Sequence, residues 1–230
     1  MARGIFVVID GTDGSGKKTQ LDLLAARLRD NDRAVETADF PQYGQWSAQF
    51  VEKYLRGEFG GVTEVNAKKA SLFYALDRFE AAQRIYNWLD QGAIVLSNRY
   101  VSANKGHQLG KISDETEMRG FLSWLNELEY GTLGIPVPDL TLFLHLPAEI
   151  GQMLVDSKSQ RDYLHGQKRD IHELDLNHLK NAERAYLFCV EHDSAENWKL
   201  IKGFSNQEPR TREAVHLDIY AAVNEFITKR

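Results

Sequence analysis

The segment Gly11-Thr12-Asp13-Gly14-Ser15-Gly16-Lys17-Lys18-Thr19-Gln20 lies between an apolar run, Ile5-Phe6-Val7-Val8-Ile9, and a stretch in which Leu21, Leu24, Ala25 and Leu28 recur at helical spacing. The first run suits a buried strand, and the second an amphipathic helix. Glycines between them let successive backbone N–H groups turn inward around an anion. The helix that follows aims its positive end at the same point, and Lys17 can reach the outer phosphates. Gly11, Gly16 and Lys17 fit the spacing G-x-x-x-x-G-K-[ST], while Lys18 stands where a hydroxyl is expected. A glycine-rich turn that binds nothing leaves the coincidence of strand, loop, lysine and helix unexplained. The expected phosphate-binding set is Gly11, Thr12, Asp13, Gly14, Ser15, Gly16, Lys17, Lys18 and Thr19.

Further along, strand-like runs alternate with helical ones. The strands are expected at Ile5 to Asp10, Ala34 to Asp39, Ala93 to Ser97, Leu140 to His145 and Trp198 to Ile201. The helices are expected at Lys17 to Asp30, Ser47 to Leu55, Ala67 to Gln91, Asp114 to Tyr130, Glu149 to Lys158, Leu174 to His192 and Arg212 to Thr228. Ser113 and Thr211 sit where helix N-caps belong, and Gly92 where the long third helix should stop. Alternation of this kind predicts a three-layer α/β/α fold with a five-stranded parallel sheet. In such sheets the ligand lies beyond the carboxyl ends of the strands. Asp10-Gly11, Asp39-Phe40-Pro41 and Ser97-Asn98-Arg99-Tyr100 are therefore expected to meet at one cleft.

The 230 residues are 43% hydrophobic and 27% charged, as in an ordinary soluble protein, and they suit one large domain. The net charge of −5 argues against general nucleic-acid binding. Cys189 is the only cysteine, so no intramolecular disulfide forms, and its apolar surroundings point to core packing. Met1-Ala2-Arg3-Gly4 runs directly into a strand and no apolar run is long enough to span a membrane, so a cytoplasmic protein without membrane contact is expected.

Four more segments matter together: Asp39-Phe40-Pro41-Gln42-Tyr43-Gly44, Leu72 to Arg78, Asn98 to Gln108, and the basic run Lys158, Arg161, Lys168 and Arg169. With the phosphate loop, their order and spacing resemble the thymidylate kinase family from Ile5 to about Glu191. The resemblance implies transfer of the ATP γ-phosphoryl group to dTMP, with Mg²⁺ as cofactor and a homodimer as the assembly. It implies a single P-loop kinase domain over residues 1–230 with a lid at about 157–173. Lys17, Arg99 and Arg161 then take catalytic roles. The implied dTMP-binding residues are Asp13, Phe40, Pro41, Tyr43, Tyr74, Arg78, Arg99, Asn104, Gln108 and Tyr163. By the same likeness Asp13 meets the sugar hydroxyl, Tyr74 stacks on thymine and Arg78 bonds the base. Arg99 binds the acceptor phosphate, and Asn104 reads the base edge.

On the residues alone, other readings stay open. Asp13 also suits a turn. Tyr74 also suits core packing beside Phe73, and Arg78 a pair with Asp77 or Glu80. The basic run also suits a solvated loop. Lys18, Asn98 and His145 depart from the family pattern at places that organise metal or water. One helical step turns Thr19 away from the position of Lys18. Asp10, with the substrate phosphates, is then the expected Mg²⁺ holder. His107-Gln108 replaces the Tyr/Gln pair common there. Another pyrimidine or nucleoside kinase, or a catalytically weak nucleotide-binding module, are the alternative functions.

Overall fold

The computed structural model describes residues 3–61, 64–156 and 176–229. β1 (Ile5–Gly11) leads through the phosphate loop into α1 (Lys17–Asp30). β2 (Val35–Asp39), α2 (Gln49–Leu55), α3 (Ala67–Asp90), β3 (Ile94–Asn98) and α4 (Val101–His107) follow. Next come α5 (Glu115–Asn126), β4 (Leu140–His145), α6 (Ala148–Asp156), α7 (Leu176–His192) and β5 (Trp198–Lys202). A short antiparallel hairpin, β6 (Phe204–Ser205) and β7 (Glu208–Pro209), precedes α8 (Arg212–Thr228).

The main sheet is five-stranded and parallel throughout, in the order β2-β3-β1-β4-β5. β1 is buried at every position, because helices cover both faces. Side chains alternate across the strand. Phe6 and Val8 therefore meet Ile85, Leu89, Phe121, Leu125 and Cys189 on one side. Val7 and Ile9 meet Leu21, Leu24, Ile219 and Val223 of α1 and α8 on the other. The expected α/β/α layering and five parallel strands are thus present.

Local signals account for most element ends. Thr211 caps α8 by accepting from the backbone N–H of Ala214, as expected. The cap of α5 is Asp114, not Ser113; its carboxylate accepts from Glu117. Gly92, with φ of 81°, stands just beyond α3. α5 gives way at Glu127–Thr132 to a π-helical turn, which was expected to continue as α-helix. α4 was not expected as a helix at all. Its sequence lacks an apolar stripe because Ser102, Asn104, Lys105 and His107 are all buried.

Candidate active site

The carboxyl ends of β1, β2 and β3 open onto a cavity of about 300 Å³, where Asp13, Gly14, Gly16, Lys17, Lys18, Thr19, Asp39, Phe40, Pro41, Tyr43, Tyr74, Arg78, Asn98, Arg99, Asn104, His107 and Gln108 meet. Two glycines of its loop, Gly14 and Gly16, carry φ of 83° and 84°. That left-handed conformation is the one a side chain resists. Lys17 Nζ donates to the carbonyls of Gly11 (3.0 Å) and Thr12 (2.9 Å), and lies 3.7 Å from Asp13. The ammonium therefore closes the loop on itself. Thr12 donates to the Leu146 carbonyl at 3.1 Å, which ties the loop to the end of β4.

The family pattern places a hydroxyl at position 18; here Lys18 turns its ammonium onto Asp22 at 2.5 Å. Thr19 lines the cavity beside it. Both residues, one helical step apart, line the opening at the start of α1. Gly11, Thr12 and Ser15 do not line the cavity.

Arg99 follows β3 with φ of 63°, an uncommon conformation for a residue with a side chain. Ser97 Oγ secures that backbone turn by donating to the Arg99 carbonyl at 2.6 Å. The guanidinium pairs with Asp13 and lies 3.1 Å from His107 Nε2. Burial opposes its charge, but the carboxylates of Asp13 and Asp10 outweigh burial and hold it firmly protonated. Asp13 is thus an ion-pair residue here, beyond either role expected of it.

At the far end, Tyr74 packs edge-on against Tyr54, with centroids 6.3 Å apart. Arg78, 1% exposed, lies on the cavity wall. It pairs with neither Asp77 nor Glu80. Glu129, on the π-helical turn, takes its Nε–H at 3.1 Å and also binds Nη2, while the Tyr100 carbonyl takes Nη1 at 3.2 Å. Burial works against the charge of Arg78, and Glu129 overcomes it. Asn104 donates to the Ser71 carbonyl at 3.2 Å and reaches Glu129 at 3.4 Å. Gln108 Oε1 is buried without a hydrogen-bond partner among the described residues. Phe40 precedes a cis peptide to Pro41 and packs on Tyr100, and Tyr43 sits at the rim, 39% exposed.

Asp10 does not suit the metal role expected of it. Its carboxylate is fully buried and does not line the cavity. One oxygen accepts from the Gly11 N–H (2.8 Å) and the Tyr186 hydroxyl (3.0 Å), and the other from Ser102 (2.6 Å). Burial raises its pKa against the pull of Arg99 and Lys17. A hydrated Mg²⁺ needs accessible oxygen positions, and those of Asp10 are buried behind the cavity wall, three of them engaged by hydrogen bonds. Among the described residues, no group of three or more His, Cys, Asp or Glu is placed to hold a metal. The accessible carboxylate is Asp39, which Asn98 steadies with a 2.8 Å hydrogen bond. Asn98 thus replaces a charge but supports one next to it. His145 stands outside the cavity, bound to Glu183 at 2.8 Å. Arg161, Tyr163, Lys158, Lys168, Arg169 and the lid expected at 157–173 lie outside the described residues.

Sequence reasoning missed Glu129 and the coupling of His107 to Arg99. Glu129 carried no distinguishing signal, since Asn126 and Glu127 beside it are polar as well. His107 and Arg99 stood eight residues apart in one segment already singled out, but the ring's second partner, His178, lies 71 residues further on.

The family model for thymidylate kinase matches residues 9–202. The chain belongs to the thymidylate kinase family. It is 31% identical to the thymidylate kinase of Mycobacterium tuberculosis over 198 residues, 86% of this chain and 91% of that one. It is 32% identical to that of Oenococcus oeni over 223 residues, covering 94% and 96% of the two chains. A solved thymidylate kinase from Candida albicans superposes with a TM-score of 0.69 at 20% identity, over 98% of this chain and 93% of the other. That last likeness concerns the fold.

Proposed function

We propose that the chain is a dTMP kinase that transfers the γ-phosphoryl group of ATP to dTMP. One observation carries the reading: a single cavity has the phosphate loop with Lys17, Asp13 and Arg99 at one end, and Tyr74, Arg78 and Asn104 at the other. The spacing suits a nucleotide whose phosphate must meet a second nucleotide's phosphates. A flat ring can lie against Tyr74, and the Arg78 guanidinium with the Asn104 amide can meet carbonyl and N–H groups on a pyrimidine edge. Arg99 supplies a planar fork to the acceptor phosphate and to charge that builds up during transfer. Lys17 exchanges its loop carbonyls for phosphate oxygens, so its charge moves only a short way. Mg²⁺ would enter mainly hydrated on the ATP phosphates, with Asp39 as the protein carboxylate to hold it, and would neutralise phosphate charge.

We further infer a homodimer. Leu72, Leu76 and Phe79 project at helical spacing from one face of α3 and are 42%, 53% and 51% exposed. A second copy presenting the same stripe would cover them. Among the described residues no helix is long and apolar enough to cross a membrane, and the lone cysteine, Cys189, is free and buried. Both suit work in the cytoplasm.

A steady-state assay with ATP, Mg²⁺ and a panel of monophosphates tests the assignment. dTMP is expected well ahead of AMP, GMP and CMP. A preference for CMP or for an unphosphorylated nucleoside would overturn it.

A further inference from the structure

We propose that His107, its ring proton fixed by His178, is a positioning residue that aims Arg99 at the acceptor phosphate. The inference rests on the kinase reading for its consequence, and on geometry for its content. His107 Nε2 lies 3.1 Å from Arg99 Nη1. A guanidinium only donates, so Nε2 must offer a lone pair. The ring is then neutral with its proton on Nδ1. That nitrogen lies 3.3 Å from His178 Nε2, which accepts in turn. The two rings are nearly parallel, 18° apart, with centroids separated by 5.5 Å. Which nitrogen of a histidine carries the proton is set by the hydrogen bond at the other. By accepting from Nδ1, His178 holds the tautomer whose Nε2 lone pair faces Arg99. With the opposite tautomer an N–H would point at an N–H.

The surroundings favour a neutral ring. His107 is 6% exposed. Arg99 follows β3, Asp13 and Lys17 face it from the phosphate loop and α1, and His178 and Tyr186 face it from α7. Burial first, and then Arg99, push its pKa well below the ordinary imidazole value.

A neutral acceptor has a particular use at this place. Asp13 already anchors Arg99 from the loop side, but a carboxylate competes with phosphate for the same charge. A second carboxylate would neutralise the fork. The imidazole instead fixes the plane of the guanidinium and leaves its charge for the incoming phosphate. The other N–H groups of Arg99 then stay free to turn toward the cavity.

Two measurements on the whole protein test this. The first is a nitrogen-15 spectrum of histidine-labelled protein near neutral pH, with His107→Gln and His178→Gln used for assignment. Neutral rings protonated on Nδ1 are expected at both positions. A proton on Nε2 of His107, or a charged ring, would overturn the proposal. The second compares His107→Leu, which fills the space without an acceptor, with His107→Gln, whose amide oxygen accepts. His107→Leu should raise KM for dTMP by about tenfold or more, with KM for ATP within about twofold and melting little changed. His107→Gln should recover most of that loss. Equal kinetics for the two folded variants would refute a positioning role. If His107→Leu does not fold, the spectrum of the unaltered protein still decides. Failure of the kinase reading looks different: the unaltered protein itself would prefer CMP or an unphosphorylated nucleoside to dTMP, or turn over none of them.

Discussion

Arg78 and Arg99 are both held by carboxylates, but their surroundings separate stability from activity. Arg78 and Glu129 have side chains only 2% and 0% exposed, and each is the main ionic partner of the other. Removing one member of such a pair leaves a buried charge uncompensated, which costs about 3–5 kcal/mol. Glu129→Ala should therefore unfold at clearly lower denaturant, and base binding should weaken as Arg78 loses its anchor. Urea unfolding followed by circular dichroism measures this, and a midpoint equal to that of the unaltered protein would contradict it. Arg99 keeps 21% of its side chain exposed at the cavity. Arg99→Ala should leave the unfolding midpoint nearly unchanged and lower kcat/KM for dTMP by at least about 100-fold, through loss of a charge-assisted clamp on phosphate. Near-normal kcat/KM in the folded variant would make Arg99 a structural residue.

At the scale of elements, the phosphate loop and α6 meet backbone to backbone. A Cβ on Gly14 would come 2.2 Å from the Gly151 carbonyl oxygen, and one on Gly151 would come 2.4 Å from that of Asp13. Neither backbone can give way without moving the loop that holds Lys17 and Asp13. Gly151→Ala should thus raise KM for ATP by roughly tenfold, as misplacement of a positioned group costs rate and affinity. Initial rates at varied ATP would show it, and an unaltered KM would mean that α6 shifts freely. α4 is placed by a different device. Lys105 is fully buried and donates to Asp193 and Glu196, at 2.6 Å each, in the connection between α7 and β5. Thr141, Tyr130 and Trp198 complete the shell around those carboxylates. This network holds the helix that carries Asn104 and His107, and that begins just after the Arg99 turn, against the rest of the fold.

For the whole molecule, the stripe of Leu72, Leu76 and Phe79 on α3 is an exposed apolar face that the described part of one copy leaves uncovered. Leu76 and Phe79 are each about half exposed. Covering them yields roughly 25 cal/mol for each Å² of apolar surface removed from water. The pair Leu76→Glu and Phe79→Glu should convert a dimer to a monomer, because it places like charges on a symmetric contact. Sedimentation velocity decides: a monomeric unaltered protein, or a charged variant that remains dimeric, would rule out this face.

The loop and its neighbours were legible in the chain because their physics is local. Glycine, lysine and an amphipathic run act within a few residues, so β1, the phosphate loop and α1 could be read directly. The parallel sheet followed from alternation, since each element needs only its own period to declare itself. The gathering of Asp39, Arg99 and the loop at one cleft followed from strand direction. The partners inside the site were a different matter. Arg78 finds Glu129 51 residues away, His107 finds His178 at 71, and Asp10 finds Tyr186 at 176. Spacing tells which face of its own element a side chain occupies, but not which other face it will meet; that depends on the order of strands and on how far each helix sits from the sheet. α4 stayed hidden for the same reason: its buried polar residues are satisfied by groups the chain supplies only after it has folded back on itself.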